Sequence, residues 1–240
     1  MKTRFISLIL VLTLILSSAA FAQAEISAAD VRLSDYFSNR DLSGEWDQSK
    51  AVEITLTESL TITEEGVYVL SGAIADGTVT VDASGDAKVQ LVLNGVSIAC
   101  AHSACIFVKN ADKVFITLAE GTENTLTSTG FSADSEIDGA VYAKDDITFN
   151  GKGSLSVTSA KHGIVGNDDV KFGGGVYVIH AGERGVTGKD SVRIFDGVYT
   201  IYSVKSPIRS KNKQDDDKGY VLILGGDFYL HMSGADDSGD

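Results

Sequence analysis

The stretch KHGIVGNDDVKFGGGVYVIHAGE, residues 161–183, lies between DGAVYAKDDITFNGKGSLSVTSA (138–160) and RGVTGKDSVRIFDGVYTIYSVK (184–205). The three stretches share one pattern, and an aspartate takes the same place in each of them: Asp145, Asp168 and Asp190. A repeat of this length is a supersecondary unit that cannot bury its apolar face alone. Successive copies must therefore stack, which places equivalent residues side by side.

Each repeat contains three strand-sized segments, which in the third copy are Val186–Gly188, Val192–Ile194 and Tyr199–Ile201. Three strands leave no room for a helix, and hairpins would not repeat at a fixed period with the same residue at each corner. One coil of a parallel β-solenoid fits, with each strand about 4.8 Å from its counterpart one turn away. We therefore expect an all-β fold of three sheets with about 22 residues per coil, covering 51–240 behind a polar, irregular N-terminal cap at 25–50.

The apolar residues of the repeats fall into columns whose members lie two apart along each strand, as one face of a strand requires. We expect these columns to point inward and the aromatic residues in them to stack as core rather than serve as a sugar platform. The columns are Val141, Ile164, Val186 and Ile208; Ile147, Val170, Val192 and Val221; Phe149, Phe172, Ile194 and Ile223; Leu155, Tyr177, Tyr199 and Phe228; and Val157, Ile179, Ile201 and Leu230.

The first 24 residues have the pattern of a secretory signal peptide. Lys2 and Arg4 precede the apolar run Phe5–Leu16, and small residues offer cleavage sites near Ala22 or Ala24. The pattern predicts a secreted, extracellular or periplasmic protein. The net charge of −13 without a basic cluster argues against nucleic acid and anionic membranes as partners, and we expect no membrane insertion.

Two features leave alternatives open. Cys100 and Cys105 either form a disulfide, as an oxidising compartment permits, or are small buried residues at a strand end. A fourth copy begins at Ser206 and is interrupted by an acidic insertion at Gln214–Lys218, which should form a loop. The last coil would leave open strand edges, so we expect the polar tail, a partner or a further chain at an otherwise incomplete C-terminal end.

The repeats and three longer segments together resemble a known family. The segments are FSNRDLSGEWDQSKAVEITL (37–56), GVYVLSGAIADGTVTVDASGDAKVQLVLNGVSI (66–98) and FVKNADKVFITLAEGTENTLTS (107–128). From about Tyr36 to the C-terminus the chain is similar to the calcium-associated, carbohydrate-binding, right-handed parallel β-helix proteins that bacteria secrete. The resemblance implies a pectate-lyase-like scaffold that binds cell-wall polysaccharide, such as cellulose or acidic pectic sugar, together with Ca²⁺.

Aspartate and asparagine side chains follow the first strand of successive repeats and are candidate calcium ligands. Carboxylates stacked one strand apart repel each other by roughly 1 kcal/mol in water, so something must offset the repulsion. One answer is Ca²⁺, which prefers oxygen ligands. The other is a purely structural corner of Asx turns with Lys144, Lys189 and Lys211 as interleaved cations. The candidate ligands are Asp145, Asp146, Asp168, Asp169, Asp190 and Asn212.

A second column carries cations where the related family tends to carry acidic pairs. Lys161 and His162 open one repeat, Arg184 opens the next, and Arg209 lies in the fourth copy. Such a column would bind the carboxylates of acidic sugars. It could also supply the base of a polysaccharide lyase, which is the alternative. We expect a non-catalytic carbohydrate-binding protein, and a third possibility is an adhesive or structural surface module.

Overall fold

A computed structural model describes residues 32–234, and the predicted signal peptide lies outside the described residues. The elements below belong to the unit Leu33–Asp240. A 3₁₀ turn, Leu33–Asp35, and helix α1, Asn39–Leu42, precede twenty strands. These are β1 (Ala51–Leu56), β2 (Leu60–Ile62), β3 (Gly66–Ile74), β4 (Val79–Asp82), β5 (Lys88–Cys100), β6 (Ile106–Asn110), β7 (Lys113–Leu118), β8 (Glu123–Ser128), β9 (Gly139–Ala143), β10 (Asp146–Gly151), β11 (Ser154–Ser159), β12 (His162–Gly166), β13 (Asp169–Phe172), β14 (Val176–Ala181), β15 (Val186–Gly188), β16 (Ser191–Ile194), β17 (Val198–Ser203), β18 (Ile208–Ser210), β19 (Tyr220–Ile223) and β20 (Asp227–Met232).

The fold is all-β, and the strands pair in parallel with their counterparts in the neighbouring repeats, as predicted. The first ladder contains β10, β13 and β16, and in it Val170 of β13 lies opposite Ile147 of β10 and Val192 of β16. The second ladder contains β14 and β17, with Tyr177 opposite Tyr199. The third contains β12 and β15, with Ile164 opposite Val186. Within residues 32–234, no helix is long and apolar enough to cross a membrane.

The prediction of three separate sheets is corrected to three ladders joined into two sheets, one of thirteen strands and one of seven. Strand β5 causes the join, because its first half pairs with β7 and its last residues pair with β8. Gly95, at φ +79°, lies between the two halves. This left-handed conformation costs glycine little, so β5 turns the corner there, and the N–H groups of Gly95 and Val96 donate to the Asn124 side chain at 3.0 Å.

The predicted inward columns are confirmed in the middle repeats. Their members pair in register, and those of the first three repeats are buried. Tyr177 stacks on Tyr199 with ring centroids 5.1 Å apart, and Tyr199 stacks on Phe228 at 4.8 Å. Phe149 and Phe172 stack likewise at 5.1 Å. Burial of such rings stabilises the stacked strands beyond the effect of their area alone.

Members of the same columns become exposed in the fourth copy of the repeat. Ile223 is 47% exposed and Leu230 is 45% exposed, whereas their counterparts Ile194 and Ile201 are buried. Exposed apolar side chains beside open parallel edges are typical of a surface that another segment covers. A partner or further chain at this end stays a prediction.

The two cysteines are free and buried, which agrees with the second alternative rather than the disulfide. The Cys105 thiol donates to the carbonyl of Ile98 at 3.4 Å. Burial, followed by the effect of Cys100, raises the pKa of Cys105 to about 12. Both residues therefore behave as small core side chains.

An N-terminal strap, residues 33–50, packs across the outer side of the first ladder. Ser38 caps α1 in a capping box with Asp41. The buried Asp41 carboxylate accepts from Thr148 of β10 at 2.9 Å and pairs with Lys113 of β7 at 2.6 Å and with Lys171 of β13 at 4.0 Å. Burial favours the neutral acid, but the hydrogen bond of Lys113, the Ser38 N–H and both lysine charges hold the pKa of Asp41 below its usual value.

Aromatic and backbone contacts fix the rest of the strap. The Arg40 guanidinium lies 4.3 Å from the ring centroid of Phe115. Asn150 donates its side-chain amide to the Arg40 carbonyl at 3.1 Å. Phe37 meets Phe195 edge to face at 6.0 Å. Through these contacts the strap crosses β7, β10 and the turn after β16. Its last residues lie against the stacked turns between the first and second ladders.

Candidate functional site

Five of the six predicted calcium ligands line one cleft. The cleft has a volume of about 540 Å³ and also includes Asp217, Lys218 and Tyr220. The five are Asp145, Asp146, Asp168, Asp169 and Asp190. The parallel register explains their convergence, because equivalent residues at the start of β10, β13 and β16 stack at one edge.

Two of these carboxylates already have cationic partners within the protein. Asp169 lies 2.9 Å from the Arg193 guanidinium and accepts from the Ser191 hydroxyl at 2.6 Å. Asp190 pairs with Lys218 at 2.6 Å and accepts from Asn212, the sixth predicted ligand, at 3.0 Å. Burial acts to raise the pKa of Asp190, but these two hydrogen bonds and the lysine charge hold it below its usual value.

Asp146 and Asp168 lack such partners. Neither forms an ion pair within the described part of the chain, and Asp168 accepts no side-chain hydrogen bond there. Burial, followed by the negative charge of Asp169, raises the pKa of Asp146. Burial, followed by the charges of Asp190 and Asp146, raises the pKa of Asp168. Like Asp145, these two side chains have no cation within 4.0 Å among the described residues.

The carboxylates fit calcium in donor chemistry but do not form a preformed cage. Within residues 32–234, no group of three or more His, Cys, Asp or Glu side chains is arranged to hold a metal ion. Asp145 already accepts from the backbone N–H of Ala111 at 3.0 Å. Asp146 and Asp168 could therefore hold Ca²⁺ only with backbone carbonyls and water completing six to eight oxygens.

Among the described residues none of the interleaved lysines forms an ion pair with this column, although the charge of Lys189 acts to lower the pKa of Asp168 and Asp190. Lys144 pairs with Glu136 in the loop before β9, whereas Lys189 and Lys211 line a different cavity. Successive residues of an extended chain point to opposite sides, so neighbours in sequence separate in space. The aspartates and the lysines thus form two adjacent charged surfaces.

The predicted carbohydrate-binding column is not brought together in one cavity. Arg184 is buried, 4% exposed, and lies 4.0 Å from Glu183. His162 accepts from the backbone N–H of Arg184 and lies 3.5 Å from Asp138. Burial lowers the pKa of His162, although Asp138 opposes the shift. The Lys161 ammonium lies 5.8 Å from the Phe131 ring centroid.

Arg209, the fourth predicted residue, lines a basic pocket of about 580 Å³ at the end of β15 and β18. Lys189, Lys211 and Lys213 lie in the same pocket. None of these three lysines pairs with a carboxylate within 4.0 Å among residues 32–234. Partial desolvation, followed by the charges of Arg209, Lys189 and Arg184, lowers the pKa of Lys211 against the opposing effect of Asp138.

Sequence reasoning did not single out these lysines as a candidate site, although a signal was present. Lys189 and Lys211 occupy equivalent positions, since Gly188 and Ser210 before them pair in register. Stacked cations repel as stacked carboxylates do. A lysine column that forms no ion pair among the described residues, in a chain of net charge −13, therefore makes this pocket a candidate anion site.

Comparison with known proteins shows which family the chain belongs to. Residues 57–238 match the family model described as carbohydrate-binding domain-containing protein. A carbohydrate-binding domain-containing protein of Acetivibrio thermocellus is 39% identical over 207 residues, covering 84% of this chain and 71% of that protein. The chain is also similar to the solved polysaccharide lyase-like protein from C. thermocellum, a gadolinium derivative, with a TM-score of 0.70 and 32% identity over 73% of this chain and 79% of that one. The chain therefore belongs to the family of carbohydrate-binding domain-containing proteins.

Proposed function

We propose that this protein binds acidic cell-wall polysaccharide without changing it chemically. The basic pocket carries the proposal, because Lys189, Lys211 and Lys213 lie together there without carboxylate partners among the described residues. Ammonium groups recognise the carboxylates of uronic acids, and Arg209 adds a planar donor. Family membership supports a saccharide as the source of those carboxylates.

We infer that the scaffold is a right-handed parallel β-helix. Three ladders in which strands pair at a distance of one repeat support a coil, and parallel crossovers are right-handed in about 98% of cases. Such a coil explains why equivalent side chains line single surfaces. The similarity to the polysaccharide lyase-like protein agrees with it.

The strap supports binding rather than catalysis. It covers the outer side of the first ladder, where Lys113 and Lys171 contact Asp41 and Arg193 contacts Asp169. A lyase needs a cation or base that is free to reach the proton removed in β-elimination. Ion pairing keeps these three side chains from that role.

Retention on immobilised polygalacturonate tests the proposed function. The triple variant Lys189→Gln/Lys211→Gln/Lys213→Gln should bind about tenfold more weakly or worse. The control Lys109→Gln/Lys144→Gln/Lys152→Gln removes the same charge from lysines that pair elsewhere and should bind normally. New ultraviolet absorbance from unsaturated sugar would favour the lyase alternative. A wild-type protein that binds neither pectic sugar nor cellulose would favour the adhesive module.

We also propose that Ca²⁺ is held in the cleft by Asp146 and Asp168. Their raised pKa values and the absence of ion pairs among the described residues support the proposal. When bound, the ion would supply positive charge between them. Calorimetric titration of chelator-treated protein with CaCl₂ should show saturable heat, and no heat would exclude the site.

Export is the remaining proposal. It rests on the signal-peptide pattern of residues 1–24. N-terminal sequencing of protein recovered outside the cytoplasm should begin at Gln23 or Glu25, the residues that follow the two cleavage sites. A chain that still begins at Met1 would contradict export by cleavage.

A further inference from the structure

A second groove lies between the strap and the stacked turns that join the first and second ladders. Its volume is about 510 Å³, within the range of small-ligand sites. Leu42 and Trp46 form the strap side. The opposite side consists of turn residues such as Gly151, Gly174 and Gly197. Neither the predicted calcium ligands nor the predicted basic column contributes to it.

Trp46 is the only tryptophan of the chain and lies at this groove, partly buried. Within residues 32–234 its indole forms no hydrogen bond and no ring contact. Tryptophan side chains normally bury a large area, and the indole N–H usually has a partner when it is buried. A partly buried indole with neither is available to a ligand.

The turn side of the groove lets a ligand approach the backbone closely. At Gly174 an added Cβ would meet only the Gly151 carbonyl oxygen, at 3.4 Å, so this position opens into the groove. Gly175 and Gly197 have φ values of +104° and +132°, which other residues rarely adopt. The glycines keep this side flat across successive coils, opposite the indole.

The charge of the groove defines its ligand. Glu45, Glu120 and Asp196 line it, and its one lysine, Lys152, pairs with Glu120 at 3.4 Å. An excess of carboxylates repels uronic acids but accepts hydrogen bonds from sugar hydroxyls. The apolar face of a pyranose packs on an aromatic ring by the burial that drives other apolar contacts.

By contrast, the exposed aromatic column on β14, β17 and β20 does not offer such a platform. His180 and Tyr202 stack at 4.7 Å with an angle of 8° between their planes, so their faces contact each other. The Trp46 indole has no such neighbour among the described residues. The groove is therefore the stronger candidate for stacking a sugar ring.

We infer that the Trp46 groove binds a neutral pyranose chain, with the indole stacked on one sugar ring and Glu45 and Asp196 accepting from its hydroxyls. This inference rests on the proposed carbohydrate-binding function and assigns neutral sugar chains to a site of their own. The basic pocket takes acidic sugars, and the Trp46 groove takes neutral ones.

The single tryptophan makes the test direct. Titration with cellohexaose should change the Trp46 fluorescence in a saturable manner, whereas trigalacturonate should leave it unchanged. Trp46→Ala and the groove-filling Gly174→Leu should each reduce retention on insoluble cellulose by about tenfold or more. Trp46→Phe keeps an aromatic face and should retain most of the binding. Melting curves check that each variant is folded.

The possible failures are distinguishable. Unchanged fluorescence with cellohexaose, or cellulose retention that Trp46→Ala and Gly174→Leu leave intact, overturns the groove while polygalacturonate binding still supports the basic pocket. A folded wild-type protein that binds neither polymer overturns the proposed function and the groove together. Fluorescence that responds equally to trigalacturonate overturns the assignment to neutral sugar.

Discussion

Asp41 is buried and Asp168 is partly buried, and both lie at the first ladder. They differ in the charges that surround their carboxylates. Asp41, 1% exposed, has two lysines and a hydroxyl around its carboxylate. Asp168 has no ion pair among the described residues and faces Asp146 and Asp190. The pKa is lowered for Asp41 and raised for Asp168.

The comparison separates a carboxylate with a structural role, Asp41, from a candidate ligand, Asp168. Where the protein supplies the partners, as at Asp41, an ionised side chain holds two parts of the chain together. Where it does not, the folded state carries repulsion that a bound ion would relieve. The same reasoning with the sign reversed applies to Lys211 in the basic pocket.

Removing the Asp41 carboxylate, which has lysine partners, should have the largest effect on stability. Asp41→Asn leaves Lys113, which is largely buried, without its counter-charge and leaves Lys171 with Asp169 alone, so the free energy of unfolding should fall by about 3 kcal/mol. Urea unfolding measures this change. Asp47→Asn is the control, because Asp47 lies in the same strap but pairs with Lys50 on the surface. Equal stability of the two variants would contradict a structural role for Asp41.

Neutralising two members of the cleft column should have opposite effects. In chelator, Asp168→Asn should raise the free energy of unfolding by up to about 1 kcal/mol, because the ionised form is disfavoured in the fold and solvent screens the remainder. Asp190→Asn should lower it, because Lys218 and Asn212 stabilise the ionised form. Thermal melts at pH 7 compare them. Stability changes of the same sign in both variants would contradict the distinction between unpaired Asp168 and paired Asp190.

The pH dependence sharpens the comparison further. With a raised pKa, the folded protein binds a proton at Asp168 before the unfolded chain does, so this carboxyl costs less stability as the pH falls towards its ordinary pKa of 3.8. The advantage of Asp168→Asn over the wild type should therefore shrink from pH 7 to about pH 4. The deficit of Asp190→Asn should persist over that range, since a lowered pKa keeps its stabilisation until lower pH. Melting at several pH values in chelator would reveal parallel curves if the assignment were wrong.

The repeats made much of the fold predictable. Equivalent apolar residues fixed the register of the ladders, as Val170 opposite Val192 illustrates. The join of two ladders through β5 could not be foreseen, because Gly95 reads as a turn signal in the sequence. The placement of the strap was equally hidden, since Asp41 contacts Thr148, 107 residues away.

The site was predictable in part for a related reason. Stacking predicted that Asp146 and Asp168 would lie together, as they do in the cleft. It did not predict that Lys189 and Lys211 would line a different cavity. Lys189 precedes Asp190 in sequence, yet the two line different cavities. Trp46 received no role, because its groove forms only when the strap meets the turns that follow β7, β10, β13 and β16.

The central claim is that charge left unmatched in this fold marks ligand sites, and calcium tests it most directly. Melting of the wild type should shift upward in CaCl₂, equivalent to about 2.7 kcal/mol at 100 times the dissociation constant. Asp146→Asn/Asp168→Asn should show no such shift. An unchanged wild-type melting temperature, or an equal rise in both proteins, would contradict the claim.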